Sequence, residues 1–479
     1  VRIKWIDRIL GLVEIAICLS ALGFGVGVVM LAPGDPFALK IVPRLFLGAT
    51  VFLALLWWMR RWEGTVAPDS CFSWRPVGWI LLAGVALRVT FTLSVQPRPE
   101  SDYEAYWESA IHLVKAHEYV VFDHFDQFLN ILRAYRPPGA AFVNALAVAV
   151  VGANIWAPLA VNVVCFAATV ICIVGACRRL LPSRGVYAAA AFLAFWPSAI
   201  AMSGLPQTES ISALATALLI WLVVGVPRDR WKWPLATGAV IGLSCLVRNS
   251  NLILIPALFL LLLRSPLLWR RRLLFGVVLA GTAVAAILPW TLRNLQLLGS
   301  PVLVATNGGE NFYTANNPNG DGTWSHDSAE RIRQFLPDEV RMDRTGFQWS
   351  MAWIRSHPFD YLKLTVPKFR ALVESDSHGP YWALERGRRY AGFWLKPARA
   401  VADLWWIVLW IFATRTLLVF PFWRSNPAWF AITLLGIVPE SLFLLFLSTE
   451  RYHVSMVPAV VCLAAYAVAS RSGKVADDD

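Results

Sequence analysis

Ser101-Asp102-Tyr103-Glu104-Ala105-Tyr106-Trp107 is a short polar island placed just after an apolar run that closes near Val95. Carboxylates beside a bilayer are costly and tend to be functional, so these two acids mark the expected edge of a reactive site. The reading rests on the rest of the chain being membrane, and composition supports that. The chain is 57% hydrophobic and 15% charged, with a mean hydropathy of +0.55. It repeatedly supplies the roughly 20-residue apolar stretches that cross a hydrocarbon core. The expectation is an all-α polytopic membrane protein. Trp and Phe gather at span ends (Trp57-Trp58, Trp405-Trp406, Trp423), as aromatic belts require.

The net charge is +12, but the basic residues are divided among many short loops instead of sharing one face. Positive-inside orientation accounts for that distribution, and no nucleic-acid partner is expected. The seven cysteines (Cys18, Cys71, Cys165, Cys172, Cys177, Cys245, Cys462) show neither a disulfide framework nor a CxxC metal spacing. The scattered histidines carry no zinc pattern. The first apolar run follows Arg8 directly, lacks a small-residue cleavage site and is too long for a signal-peptide core, so it reads as a retained anchor.

Apolar runs at about 9–31, 42–59, 77–95, 155–177, 186–204, 208–226, 234–247, 251–264, 273–292, 400–420, 428–447 and 453–470 predict about twelve crossings. With Arg2, Lys4 and Arg8 cytoplasmic, the same side receives Arg60-Arg61, Arg178-Arg179, Arg228 to Lys232, Arg264 with Arg270-Arg271-Arg272, Arg424, and finally Arg471 and Lys474. Arg248-Asn249-Ser250-Asn251 argue against fusing 234–247 with 251–264, because an unpaired guanidinium at mid-bilayer is costly. The stretch 137–151 opens with Pro137-Pro138-Gly139, is short, and would break the charge parity. It is expected to be re-entrant or interfacial.

Two long extracytoplasmic segments remain, 96–136 and 293–399. The implied organisation is N-terminal extra helices at 1–76, a catalytic transmembrane core at 77–292 with 96–136 as its first outer loop, an outer cap at 293–399, and C-terminal helices at 400–479. Within the cap, Phe359, Leu362, Val366, Phe369 and Val373 make an apolar stripe that predicts a helix on the membrane surface, bent by Pro367. The Gly- and Asn-rich run 308–322 is expected to be a mobile lid.

Polar clusters fall on the outer side at Asp102/Glu104, Tyr135-Arg136-Pro137-Pro138, Pro206-Gln207-Thr208-Glu209, Pro289-Trp290-Thr291-Leu292-Arg293-Asn294 leading into 307–324, and Glu450-Arg451-Tyr452. Acids and arginines converging on one membrane face suit an anionic lipid-linked substrate, with guanidiniums on phosphate oxygens and a carboxylate deprotonating an acceptor.

These motifs, in this order, resemble the GT-C superfamily of polyprenyl-phosphate-sugar-dependent glycosyltransferases, in the branch of bacterial aminoarabinose transferases and protein O-mannosyltransferases. The resemblance is carried by Asp102-Tyr103-Glu104 with Tyr106 and Ala110, Tyr135 to Gly139, Pro197 and Glu209, Pro289-Trp290 with Arg293-Asn294, Gly308 to Tyr313 with Asn316-Asn317-Pro318, and Glu450-Arg451-Tyr452. It covers most of the chain from about residue 78. It departs where Tyr103 separates the two acids, where two extra spans precede the catalytic loop, and in lacking a large soluble C-terminal domain.

The resemblance implies a GT-C-like helical bundle with extracytoplasmic juxtamembrane helices, in a bacterial inner membrane with its site on the periplasmic side. It also implies transfer of a monosaccharide from a polyprenyl-phosphate donor to a lipid, glycan or protein acceptor, with inversion. Asp102 is the expected general base, worth roughly 10²- to 10⁴-fold, and Glu104 stands beside it. Arg136, Arg293, Arg451, Arg248 and Tyr313 are expected at the donor phosphate, and Tyr106, Glu209, Asn311 and Asn316 at substrate. The phosphate leaves as a stable anion, so no general acid is obligatory, unlike a glycosidase. The sequence assigns no cofactor and leaves open a divalent cation near Asp102 or the Asn317-Asp321 loop.

Bland readings stand beside these. Against the functional readings, Asp102 is weighed as a helix cap after Ser101, Arg136 as a snorkelling side chain, Glu209 as a cap or structural partner, and Arg451 as a bridge to Glu450. Asn317, Asn319 and Asp321 read as turn residues. At the level of function, the alternatives are a transporter or flippase of lipid-linked sugars, and a polymerase or ligase acting on pyrophosphate-linked glycans.

Overall fold

A computed structural model describes residues 72–125, 129–386, 394–419 and 426–470, together with Pro68. The expected spans at 9–31 and 42–59, Cys18, Cys71, Trp57-Trp58, Trp423, Arg424, Arg471 and Lys474 lie outside the described residues.

Every apolar run expected as a crossing within the described residues is helical. In chain order these are α1 (Trp74–Val95), then, past the outer helix α2 (Asp102–Ala116) and the short α3 (Gly139–Val151), α4 (Trp156–Cys177), the bent pair α5 (Ser183–Ala194) and α6 (Pro197–Ala201), α7 (Glu209–Gly225), α8 (Lys232–Cys245), α9 (Leu254–Leu263) and α10 (Trp269–Leu298). Six helices of the described residues are long and apolar enough to span, or seven if the pair bent by 43° is counted as one. The expected twelve therefore do not follow from helix length. Two of the twelve lie outside the described residues, and the rest of the difference sits in α7, α8 and α9, which have 17, 14 and 10 residues. At about 1.5 Å per residue, 14 residues reach roughly 21 Å, short of the roughly 30 Å hydrocarbon core.

The break expected between α8 and α9 is present. Arg248 is extended (φ −144, ψ 117) and a 3-10 turn, Asn249–Ile253, follows it. Gly238 and Gly242 let α8 lie directly on α10, since a Cβ on either would come within 2.4 Å of the carbonyl oxygen of Leu279 or Ala283. Two small residues four apart are a common device for close helix approach in a membrane.

The outer segments fold into helices and one hairpin. Strands β1 (Val121–Asp123) and β2 (Asn130–Leu132) pair antiparallel, with Phe122 opposite Ile131. They meet α11 (Gly308–Ala315), α12 (His326–Arg333) and α13 (Glu339–Ser356) around a shared apolar cluster of Ala105, Tyr119, Val121, Leu132, Ile332 and Met342. The surface helix is present but broken into α14 (Pro358–Lys363) and α15 (Thr365–Val373). The break falls where Pro367 denies its N–H to the Lys363 carbonyl. Phe359 and Val366 are 77% and 71% exposed, so this stripe is free to lie in the lipid interface. Helix α3 has 13 residues and also turns an apolar side outward at Leu146 and Val150.

The chain closes with α16 (Leu395–Val419), α17 (Pro427–Leu445), a 3-10 turn over Glu450–Met456, and α18 (Val457–Ala469). Almost all of α18 is buried, and its small Ala and Val side chains let α5, α7, α16 and α17 pack around it.

Candidate active site

A cavity of about 1020 Å³ opens among the helix ends that the sequence placed together. Its walls come from the start of α2, the 135–137 stretch, the entry to α7, the α8–α9 break, residues 300–311, parts of α12 and α13, and the segment after α17. Asp102 is the first residue of α2 and is preceded by Ser101, whose backbone (φ 56, ψ −123) is one that L-residues rarely adopt. Neither side chain caps the helix: Ser101 makes no capping hydrogen bond, and Asp102 is turned to two arginines. Its Oδ1 accepts from Arg136 at 2.7 Å and its Oδ2 from Arg451 at 2.5 Å, across 349 residues of sequence. Burial would raise the Asp102 pKa, but the two guanidiniums outweigh it and hold the carboxyl well below the usual carboxylate range.

Glu104 also lines the cavity but cannot duplicate Asp102. Residues two apart on a helix point to different faces. Partial burial and then the nearby Glu108 raise its pKa, so Glu104 is the softer acid of the two. Tyr106, four residues on, does share the Asp102 face, and its ring lies 5.8 Å from the Arg136 guanidinium carbon.

Glu209 and Arg248 form a second, buried pair at 2.7 Å, with the Thr208 hydroxyl bridging both side chains. Both line the cavity, as does Asn311. Arg248 and Arg451 stand 5.4 and 5.5 Å from the Tyr452 ring, so both guanidiniums neighbour one ring.

Three sequence candidates lie away from the lining. Arg293 donates to the backbone carbonyls of Arg133 and Tyr119 at 2.5 and 2.8 Å and stacks on Trp290, so it acts as a strut for the 119–133 loop. Tyr313 is buried against Trp349. Asn316 is fully buried; it donates to the Phe312 carbonyl and accepts from the buried Lys368 at 2.6 Å. Of the run expected as a mobile lid, residues 308–315 form helix α11. Gly309, the second residue of this helix, is buried, and a Cβ there would sit 1.9 Å from the Asp343 carbonyl oxygen, so glycine serves close packing here.

The cavity holds a further cluster that the motifs only brushed. Arg333 donates to both oxygens of Asp123 at 2.9 and 3.0 Å and to Glu310 at 2.8 Å, and it also contacts the Tyr135 hydroxyl. Tyr135 donates to Glu310 at 2.5 Å. Glu310 and Tyr135 were within quoted motifs; Asp123 and Arg333 stood in loops with no periodic or spacing signal. Beside them, the buried Glu339 carboxylate accepts from the backbone N–H groups of Arg133 and Ala134 and from Thr306, which sets the path of the chain into Arg136.

A divalent cation is a poor fit to these residues. Each Asp102 oxygen faces a guanidinium, which repels a cation. The Asn317 and Asp321 side-chain oxygens accept from the N–H groups of Asn319 and Thr323, as turn residues do. Among the described residues no group of three or more His, Cys, Asp or Glu side chains is placed to hold a metal.

Residues 135–292 match the family model of dolichyl-phosphate-mannose-protein mannosyltransferases. No curated protein matches the chain significantly. Among solved structures, the Archaeoglobus fulgidus oligosaccharyltransferase in its apo form is similar over 82% of this chain and 50% of its own, with 12% identity and a TM-score of 0.50. The same enzyme in complex with Zn and sulfate gives 14% identity, 82% and 48% coverage, and a TM-score of 0.50. ArnT from Cupriavidus metallidurans bound to undecaprenyl phosphate has 16% identity, 82% and 78% coverage, and a TM-score of 0.40. The chain spans about half the length of the oligosaccharyltransferase structures, and that likeness is one of fold. The family-model match over residues 135–292 and the shared fold are both likenesses to the GT-C superfamily that the motifs also resemble.

Proposed function

We propose that this chain transfers a monosaccharide from a polyprenyl-phosphate carrier to an acceptor on the extracytoplasmic side of a bacterial inner membrane, with inversion. The observation that carries the reading is Asp102 held between Arg136 and Arg451 in the cavity wall. Two guanidiniums on one carboxylate leave a net positive charge, which is the complement of a phosphodiester. The adjoining wall at Val247, Leu252, Leu442, Phe443, Phe446 and Leu447 is apolar and suits the first isoprene units.

In the donor-free site Asp102 is a weak base, because its charge is already stabilised twice over. A bound phosphate offers the same guanidiniums a second anion and so frees the carboxylate. The acceptor hydroxyl then attacks the anomeric carbon from the face opposite the phosphate as its proton passes to Asp102. The bond from the anomeric carbon to the phosphate oxygen breaks, and the electron pair leaves with the carrier phosphate, whose added charge Arg136 and Arg451 neutralise.

The test is binding of undecaprenyl phosphate to purified protein. Arg136→Gln and Arg451→Gln should each weaken it, whereas Asp102→Asn should bind at least as tightly as the unaltered chain, since the competing carboxylate is gone. Unchanged affinity in both arginine variants would place the phosphate elsewhere. A transporter would bind the carrier and leave a sugar-linked carrier chemically intact, so product analysis with an envelope extract as acceptor separates the two classes.

A further inference from the structure

The Arg248 end of the cavity differs in kind from the Asp102 end. Arg248 was expected at the phosphate, but Glu209 neutralises it at 2.7 Å, and a neutral pair is a poor anion site. It is nevertheless unfinished. Arg248 Nη1, Asn249 Oδ1 and Thr449 Oγ1 are all buried and have no hydrogen-bond partner among the described residues. All three residues line the cavity. Buried polar atoms in a folded protein are almost always satisfied, so three orphans at one end of one cavity call for a ligand. Their chemistry defines it: a guanidinium that only donates, an amide oxygen that only accepts, and a hydroxyl that does both. That mixture, with no net charge, matches neighbouring hydroxyl groups. The arrangement also has the right neighbour, since Arg248 and Arg451 stand 5.4 and 5.5 Å from the same Tyr452 ring.

We propose that Arg248, Asn249 and Thr449, with Glu209 fixing the guanidinium, form the subsite for the hydroxyl groups of the transferred sugar, next to the phosphate held at Arg451. This rests on the donor reading above. It assigns sugar selectivity to the α8–α9 break and to the segment after α17, and leaves the carrier phosphate to Arg136 and Arg451.

The experiment measures affinity for three probes, undecaprenyl phosphate, undecaprenyl-phosphate glucose and undecaprenyl-phosphate mannose, with the full chain in detergent. The unaltered protein should bind at least one sugar-linked carrier more tightly than the bare carrier. Asn249→Ala with Thr449→Val should cut that preference about tenfold or more and leave bare undecaprenyl phosphate unchanged. Thr449→Ser, which keeps the hydroxyl, should preserve the preference, and this distinguishes a lost contact from a disturbed fold. The proposal is overturned if no sugar-linked carrier is preferred, if the preference survives the double variant, or if the bare carrier weakens in step. Failure of the donor reading looks different: the bare carrier would not bind the unaltered chain, or would ignore Arg136→Gln and Arg451→Gln.

Discussion

Tyr135 and Arg136 are neighbours in sequence and belong to two clusters of opposite net charge in the wall of one cavity. Arg136 joins Arg451 on a single carboxylate, Asp102, an arrangement with positive charge to spare. Tyr135 joins a single guanidinium, Arg333, shared by two carboxylates, Asp123 and Glu310, an arrangement with negative charge to spare. The first leaves Arg136 Nε without a partner, whereas Arg333 reaches both acids and the Tyr135 hydroxyl. Equal numbers of charged groups thus do different work. A surplus of cations with unused donors is poised to accept an anion, and a surplus of acids closed on one arginine holds β1, α11 and α12 together.

The sharpest way to break this contrast is Asp102→Asn. Turnover should fall by about 10²- to 10⁴-fold, the range for loss of a general base, with carrier binding retained. Near-normal turnover in purified protein would remove Asp102 from the reaction. Arg333→Gln should act on stability instead. Arg333, Asp123 and Glu310 side chains are 9%, 8% and 2% exposed, and stranding buried charges costs about 3 to 5 kcal/mol. Denaturant unfolding should reveal it, and a stable but inactive Arg333→Gln would mean that this end also touches substrate.

Arg136→Gln and Arg451→Gln should each cost roughly 1.5 to 3 kcal/mol of carrier binding, the usual worth of a hydrogen bond to a charged group. Lys should rescue them only in part, because it cannot reproduce the planar fork. Arg293→Gln is the control, and it should leave carrier affinity within about twofold. An effect equal to that of Arg136→Gln would return Arg293 to the phosphate site.

The smallest effect is in the pH profile. The depressed Asp102 pKa means that the two ion pairs persist from neutral pH down past the ordinary carboxylate range and are lost only as pH falls through the lowered value. The acid limb of kcat/KM, which reports the free enzyme, should therefore show no Asp102 titration between about pH 5 and 8. The limb of kcat should lie at higher pH, because bound phosphate draws the guanidiniums away. Coincident limbs would mean that the carboxylate and the phosphate do not compete.

Much of this site was legible residue by residue. Asp102, Arg136, Glu209, Arg248 and Arg451 stood out as charged groups at the ends of apolar runs, and each lines the cavity. The sorting among them was not legible. Arg293 and Arg136 look alike on paper, each close in sequence to Pro and aromatic residues, yet one braces backbone carbonyls and the other meets a carboxylate. Gly308-Gly309 reads as flexible because glycine permits many backbone conformations, whereas here its missing side chain lets α11 touch α13. Asp123 and Arg333 carried no signal, since a charged residue in a loop is ordinarily solvated.

The sequence by itself determined that this is a helical membrane protein, where its apolar runs lie, which break between them holds an arginine, and which clusters share one end of the helices. Hydropathy and charge placement are summed along the chain, so local stretches are enough to read them. Tertiary structure alone decided which guanidinium meets which acid, because a contact between Asp102 and Arg451 spans 349 residues and depends on ångström-scale packing of every helix between them. It also decided how many of the helices are long enough to cross, since length depends on where each helix breaks against its neighbours.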